Sequence, residues 1–182
     1  MPGPEELLTA RLRLRRWRPQ DEAAMAAINR DPQVTRYLKR AVDPAAVVAF
    51  DTRVQEHWAE HGFGFWAVEL RASARLLGFA GVAYPTFLPE LAARPELGWR
   101  LASDVWGRGF GGESAAAARD HAFAALGLPE LISIIHPDNV RSRRLAAGLG
   151  MTFERLVHNP LLGRDVEVWQ LAAPSGPRLS AA

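Results

Sequence analysis

The residues with the clearest chemical potential are four glycines gathered within six positions of Trp106-Gly107-Arg108-Gly109-Phe110-Gly111-Gly112-Glu113-Ser114. An apolar segment, 95–103, reads as a strand leading into them, and an alanine-rich helical segment, 114–126, leads out and stops at Gly127. A strand, a glycine loop and a helix start converge free backbone N–H groups on one point, where the helix end adds partial positive charge. Such a point suits an anion, most readily a phosphate. Glycine is needed because a Cβ would hold the phosphate off the backbone or forbid a positive φ. No Gly-x-x-x-x-Gly-Lys-Ser/Thr spacing is present, so a Walker-type NTP loop is excluded. Gly-x-Gly-x-x-Gly is not cleanly matched either, and no acidic residue closes a following strand where a ribose would sit.

Two further constellations carry possible chemistry. In His136-Pro137-Asp138-Asn139-Val140-Arg141-Ser142, Asn139 is a natural helix N-cap and Ser142 lies one turn further on. His57-Trp58-Ala59-Glu60-His61 matches a His-x-x-Glu-His zinc pattern, with imidazoles at i and i+4. Helical spacing gives Trp58 to the core, however, and leaves His57 and His61 on its flanks with no third-ligand motif. No metal is therefore expected, and a zinc peptidase using His57, Glu60 and His61 is the competing enzyme class. Cysteine is absent, which removes disulfides, thiolate metal sites and a cysteine nucleophile.

The loop resembles the pyrophosphate loop of the GNAT N-acetyltransferase superfamily, Gln/Arg-x-x-Gly-x-Gly/Ala, here falling on Trp106 to Gly111. Trp106 departs from the usual first residue. Trp-Gly-x-Gly-Phe/Tyr-Gly/Ala followed by Glu is similar to the RimJ/RimL-like branch, and 136–153 is similar to the family's Asn-x-x-Ser segment, helix and Gly-Phe/Met. The resemblance covers roughly residues 10 to 172 and implies acetyl-CoA as cosubstrate. It places Gly107, Arg108, Gly109, Phe110, Gly111 and Gly112 around the pyrophosphate, Asn139 on the pantetheine arm, and a backbone N–H near Leu101 on the acetyl carbonyl. It also implies Glu96 as general base and Ser142 as the acid that protonates the departing thiolate. The tyrosine that many relatives use as that acid is replaced here by Ala146. His158, beside Asn159-Pro160 at a strand end, is the next candidate base. His136 is expected only to orient the Asn139 turn.

These residues imply an N-acetyltransferase moving an acetyl group from acetyl-CoA to a primary amine, such as a protein N-terminal α-amine or a small-molecule amine. Without cysteine, direct attack in a ternary complex is favoured over an acetyl-cysteine intermediate. A GNAT-fold acyl-CoA sensor without turnover is the non-enzymatic alternative. Monomer and homodimer are equally compatible with the sequence.

The elements that must position this chemistry follow from local pattern. Residues 10–17 alternate, with Leu12 and Leu14 on one face, as a strand. Pro19 opens a helix with Asp21 and Glu22 in its first turn, and Asp31-Pro32 ends it. Asp43-Pro44 starts a second helix carrying Val47, Phe50, Val54 and Trp58 at helical spacing and ending at Gly62. Residues 63–70 and 76–84 read as a hairpin through 71–74, 85–94 as a loop, and 96–103 as the strand on which alternation puts Glu96, Gly98 and Arg100 on one face. Residues 131–136 are a buried strand, 139–149 a short helix, and 152–157 with 165–171 a last strand pair turning at Gly163. Residues 1–9 and 173–182 read as flexible tails. The order β-α-α-β-β-β-α-β-α-β-β predicts an α/β (α+β) layered domain around a central mixed sheet. The resemblance implies the GNAT fold, with that sheet mostly antiparallel and flanked by helices.

At 182 residues the chain suits one domain with a real core, and a net charge of +2 gives no reason to expect nucleic acid as partner. Lys39 is the only lysine among 22 basic residues, as a GC-rich coding sequence would give. No leader and no span-length apolar run is visible, so no membrane partner and a cytoplasmic location are expected.

Overall fold

The computed structural model describes residues 6–38, 44–160 and 162–174. Its strands are β1 (Glu6–Leu8), β2 (Leu12–Arg15), β3 (Phe65–Leu70), β4 (Arg75–Ala83), β5 (Glu96–Leu101), β6 (Glu130–Ile135), β7 (Thr152–Asn159) and β8 (Arg164–Ala172). Its helices are α1 (Asp21–Arg30), α2 (Pro32–Thr35), α3 (Pro44–His61), α4 (Phe110–Ala124) and α5 (Val140–Gly148). The eight strands form one sheet in the order β1-β2-β3-β4-β5-β6-β8-β7. Every neighbouring pair is antiparallel except β5 with β6. This is the mixed, mostly antiparallel sheet with flanking helices that the sequence implied.

Several elements differ from expectation. Residues 6–8, read as tail, form β1 because Leu8 pairs with Arg13 and Thr9 folds back to hydrogen-bond Leu12. The first strand itself is shorter, Leu12–Arg15. Asp31 both ends α1 and begins the extra turn α2, its carboxylate accepting the Gln33 N–H. The central helix α4 starts at Phe110, four residues before the expected Ser114, with left-handed Gly109 (φ 82°) as its N-cap. Asp43, the expected cap of α3, and the side chains of Val47 and Phe50 lie outside the described residues, as do residues 1–5 and 175–182 of the expected tails.

The core follows from the alternation. Leu12, Leu14, Trp66, Val68, Leu77 and Leu97 are fully or almost fully buried in the sheet. Ala115, Ala118 and Ala122 of α4 are buried too, and their small side chains let the helix lie close to the sheet. Asp21 is no ordinary first-turn acid. It is buried and takes both Nη1 and Nη2 of Arg15 at 2.7 and 2.8 Å, while Arg15 Nε reaches Glu69 at 2.8 Å. One guanidinium thus ties α1, β2 and β3. Burial alone would raise the Asp21 carboxyl, but the Arg15 fork and the Arg18 N–H outweigh it and hold the group below the usual carboxylate range.

His121, on the buried face of α4, lies edge-on to Trp66 at 5.3 Å, and its Nε2 has no hydrogen-bond partner. Burial depresses its pKa below the ordinary value. A depressed folded-state pKa means that the unfolded chain binds the proton more readily. Stability is therefore complete above about pH 6.5 and is lost as pH falls below it. His121→Phe keeps a ring against Trp66 without the titration. Its melting temperature should fall less than the wild type's between pH 7.5 and 5.5, as read by scanning calorimetry. Parallel profiles for the two proteins would remove His121 as the cause.

Candidate active site

The site is built on the one parallel strand pair. β5 and β6 register at a single position, Glu96 opposite Ile132, where the Ile132 N–H donates to Pro95 O at 2.9 Å. In a regular parallel ladder the next rung would run from the Ile134 N–H to Leu97 O. Both partners are diverted. The Glu96 carboxylate accepts the Ile134 N–H, and the buried Ser133 hydroxyl donates to Leu97 O at 2.6 Å. Beyond that point the strands part around a cavity of about 1640 Å³, lined on one wall by Leu97 to Leu101 and on the other by Ser133 to His136.

The antiparallel partner decides which N–H groups face the split. Ala102 N–H donates to Leu77 O, so by alternation the N–H groups of Trp99 and Leu101 point away from β4 and towards β6. The far end of β5 is fixed by Trp106, whose indole N–H donates to Leu101 O at 2.9 Å. The closed end is held by Arg94, whose guanidinium forks onto Glu130 of β6 at 2.8 Å and reaches Glu154 of β7 at 2.9 Å.

The glycine loop stands at the open end. Gly107 and Gly109 have φ of 75° and 82°, which side chains rarely adopt. The Glu113 N–H is the first in α4 to find its intrahelical acceptor, Gly109 O. This leaves the N–H groups of Phe110, Gly111 and Gly112 as the unpaired first turn of the helix. The loop is clamped from behind by Arg11, which donates to Arg108 O at 2.9 Å, lies over the Phe110 ring at 4.4 Å and pairs with Glu113 at 2.7 Å. Glu113 also accepts from the Thr9 hydroxyl and the Arg11 N–H. Burial would raise its carboxyl, but these donors hold it below the usual range.

The cradle fits a bulky phosphate ligand. Beyond its own helix backbone, a Cβ on Gly112 would meet nothing within 4 Å, although Gly112 lines the cavity and has an ordinary φ. The space around this position is open, so a bound group could approach the backbone here. Gly111 is different, since its Cβ would press on Leu145 Cδ1 of α5 at 3.0 Å.

The expected site residues divide clearly. Glu96, Leu101, Gly107, Gly109, Phe110, Gly111, Gly112, Asn139 and Ser142 all line the cavity. Arg108 is exposed at the loop tip, outside the lining residues. Asn139 caps α5 as its sequence suggested, accepting the Ser142 N–H at 3.2 Å. Ala146 is fully buried in the α5 interface and brings no acid. Glu96 is surrounded by the split's walls, and this desolvation pushes its carboxyl up to about 7 against the lowering from the Ile134 N–H. Arg100, expected on the same strand face, is desolvated as well and pushed down to about 10. Its guanidinium donates to Asn29 Oδ1 at 2.8 Å, tying β5 to α1.

The alternatives separate on geometry. His57 is held at both ring nitrogens: Nδ1 is 2.8 Å from Phe63 O, and Nε2 accepts the Tyr84 N–H at 3.0 Å. Those partners fix the neutral tautomer, and burial depresses the pKa further. No lone pair remains for zinc, and among the described residues no three metal-ligating side chains gather. His158 is exposed on β7, paired with Asp165 at 3.0 Å and outside the lining residues. His136 does organise the Asn139 turn, its Nδ1 lying 3.1 Å from the Asp138 N and its carbonyl accepting the Asn139 N–H. Sequence reasoning missed Ser133, Arg11 and Arg94. Their partners lie 36 or more residues away in all but a few contacts, and no local pattern announces them.

Comparison with known proteins shows the family and the fold. Residues 11–152 match the acetyltransferase (GNAT) domain family. YoaA of Bacillus subtilis, an uncharacterised N-acetyltransferase, is 27% identical over 180 residues, covering 92% of this chain and 97% of YoaA. The crystal structure of an Agrobacterium tumefaciens acetyltransferase superposes with a TM-score of 0.81 at 27% identity, covering 93% of this chain and 95% of that one. Mycobacterium smegmatis RimJ, solved with CoA-disulfide, shares the fold at a TM-score of 0.70 and 22% identity, covering 92% and 84%. Among the described residues no helix is long and apolar enough to cross a membrane. With the family matched over most of its length and its sheet split beside a glycine loop, the chain belongs to the GNAT family of acetyltransferases.

Proposed function

We propose that the protein transfers the acetyl group of acetyl-CoA to a primary amine, a protein N-terminal α-amine or a small-molecule amine, by direct attack in a ternary complex. The observation that carries this reading is Glu96, a desolvated carboxylate at the root of the split, on the strand that leads to the anion loop. Acetyl-CoA, cradled by Gly107 to Gly112 and Asn139, would supply an activated thioester. The N–H groups of Trp99 and Leu101 point into the crevice where donors to the acetyl oxygen are needed, a role worth about 3–4 kcal/mol elsewhere. Glu96 accepts the amine proton. A carboxylate near pH 7 matches an α-amine of pKa roughly 7.7–8.0 far better than an ordinary glutamate does. Ser142, on the cavity-facing first turn of α5, donates to the departing sulfur.

The rate should follow the ionised form of Glu96. The wild-type kcat/KM therefore rises with pH through a limb near 7, set by the raised carboxyl. Glu96→Gln should lose that limb and about 100-fold in rate at neutral pH, with acetyl-CoA affinity nearly unchanged and partial rescue at alkaline pH. A glutamine variant with the wild-type pH profile would move the base elsewhere. No turnover on a broad amine panel, despite tight acetyl-CoA binding, would leave a sensor.

Gly112→Val tests the cradle without straining the fold, unlike changes at Gly109 or Gly111. Its melting temperature should stay within a few degrees of the wild type's, because the new side chain meets open space. CoA affinity by calorimetry should drop at least about tenfold, the loss of one charge-assisted hydrogen bond or more. Wild-type affinity would mean that the occupant does not approach this turn.

A further inference from the structure

Arg141 reaches from the first turn of α5 across the mouth of the split and lies 3.7 Å over the Trp106 indole. The two residues stand on opposite walls, Trp106 after β5 and Arg141 after β6. Both line the cavity, beside the unpaired first-turn N–H groups of α4. Arg141 is exposed, and among the described residues no carboxylate lies within ion-pair distance of it. Its neighbour Arg143 is different, being paired with Glu167 at 3.0 Å. Trp106 is itself anchored by its indole N–H on Leu101 O, so the ring is a fixed platform.

We infer that Arg141 is the movable half of the diphosphate site, held on the Trp106 face until the anion arrives. This rests on the acetyl-CoA reading above. A planar guanidinium can stack on an aromatic face and can also fork onto phosphate oxygens. The second contact, between two full charges, is the stronger in a partly desolvated cleft. A diphosphate seated on the N–H groups of Phe110, Gly111 and Gly112 meets donors from the α4 wall only. Arg141 supplies the opposing charge from the α5 wall, and by doing so bridges the split over the bound chain. Trp106 holds the cation near that position, which shortens the move.

Calorimetry with 3′-dephospho-coenzyme A, which carries the diphosphate alone, and with pantetheine, which carries no phosphate, tests this directly. Arg141→Ala and Arg141→Gln should weaken 3′-dephospho-coenzyme A binding about tenfold or more. They should also flatten the fall of its affinity with added salt and leave pantetheine binding unchanged. Arg141→Lys should fall between, keeping charge without the planar fork. Arg144→Ala removes the same charge from an exposed position of the same helix outside the cavity, and should bind as the wild type. Equal affinities and salt slopes for Arg141→Ala and Arg144→Ala would overturn the assignment while leaving the acetyl-CoA reading intact. A wild-type protein that binds neither coenzyme A nor its 3′-dephospho form would overturn both.

Discussion

The structure depends on one hydrogen bond that is not made. If the Ile134 N–H met Leu97 O, β5 and β6 would continue as an ordinary parallel pair and the cavity would be closed by backbone. Two side chains prevent it, Glu96 by accepting the N–H and Ser133 by donating to the carbonyl. Neither polar group is left bare, so the split avoids the desolvation penalty of roughly 1–3 kcal/mol that an unpaired buried group costs. The same carboxylate that interrupts the ladder is the one proposed to take the amine proton. Its raised pKa comes from the walls that its own hydrogen bond helps to keep apart.

The second requirement is that the glycine loop stays put without side chains of its own. Glycine-rich backbone is entropically costly to order, and here the order comes from outside the loop. Arg11 holds the Arg108 carbonyl and covers Phe110, while Thr9 and Arg11 fasten Glu113. These donors belong to the turn between β1 and β2, at one edge of the sheet. The short first strand, negligible as a contributor of core, thus becomes part of the glycine loop's scaffold.

The sequence made the loop, the Asn139 cap, the β5 face carrying Glu96 and the mixed sheet legible because each is a local pattern. A strand alternates, a cap sits one residue before its helix, and glycines cluster where positive φ is needed. What stayed hidden is non-local. Arg15 finds Glu69 across 54 positions, Ser133 finds Leu97 across 36, and Arg11 finds Glu113 across 102. Low helix propensity also concealed the first turn of α4, since Phe110-Gly111-Gly112 reads as loop until the Glu113 tether is known. The His-x-x-Glu-His pattern erred the other way. Its spacing was real, but the hydrogen bonds that occupy His57 depend on Phe63 and Tyr84, which only the fold brings near.

The Arg94 staple has a mechanical consequence. It pins β5, β6 and β7 together at the closed end, with its own basicity raised first of all by the Glu130 contact. The sheet is therefore two antiparallel blocks, β1 to β5 and β6 to β8, joined by one backbone rung, the Glu96 and Ser133 side-chain bonds and the Arg94 guanidinium. Any molecule gripping both blocks adds its binding free energy to their cohesion, about 2.7 kcal/mol at a hundredfold excess over its Kd. A ligand that spans the seam would thus become one of the sheet's fastenings, and the protein's durability should then track that ligand's supply.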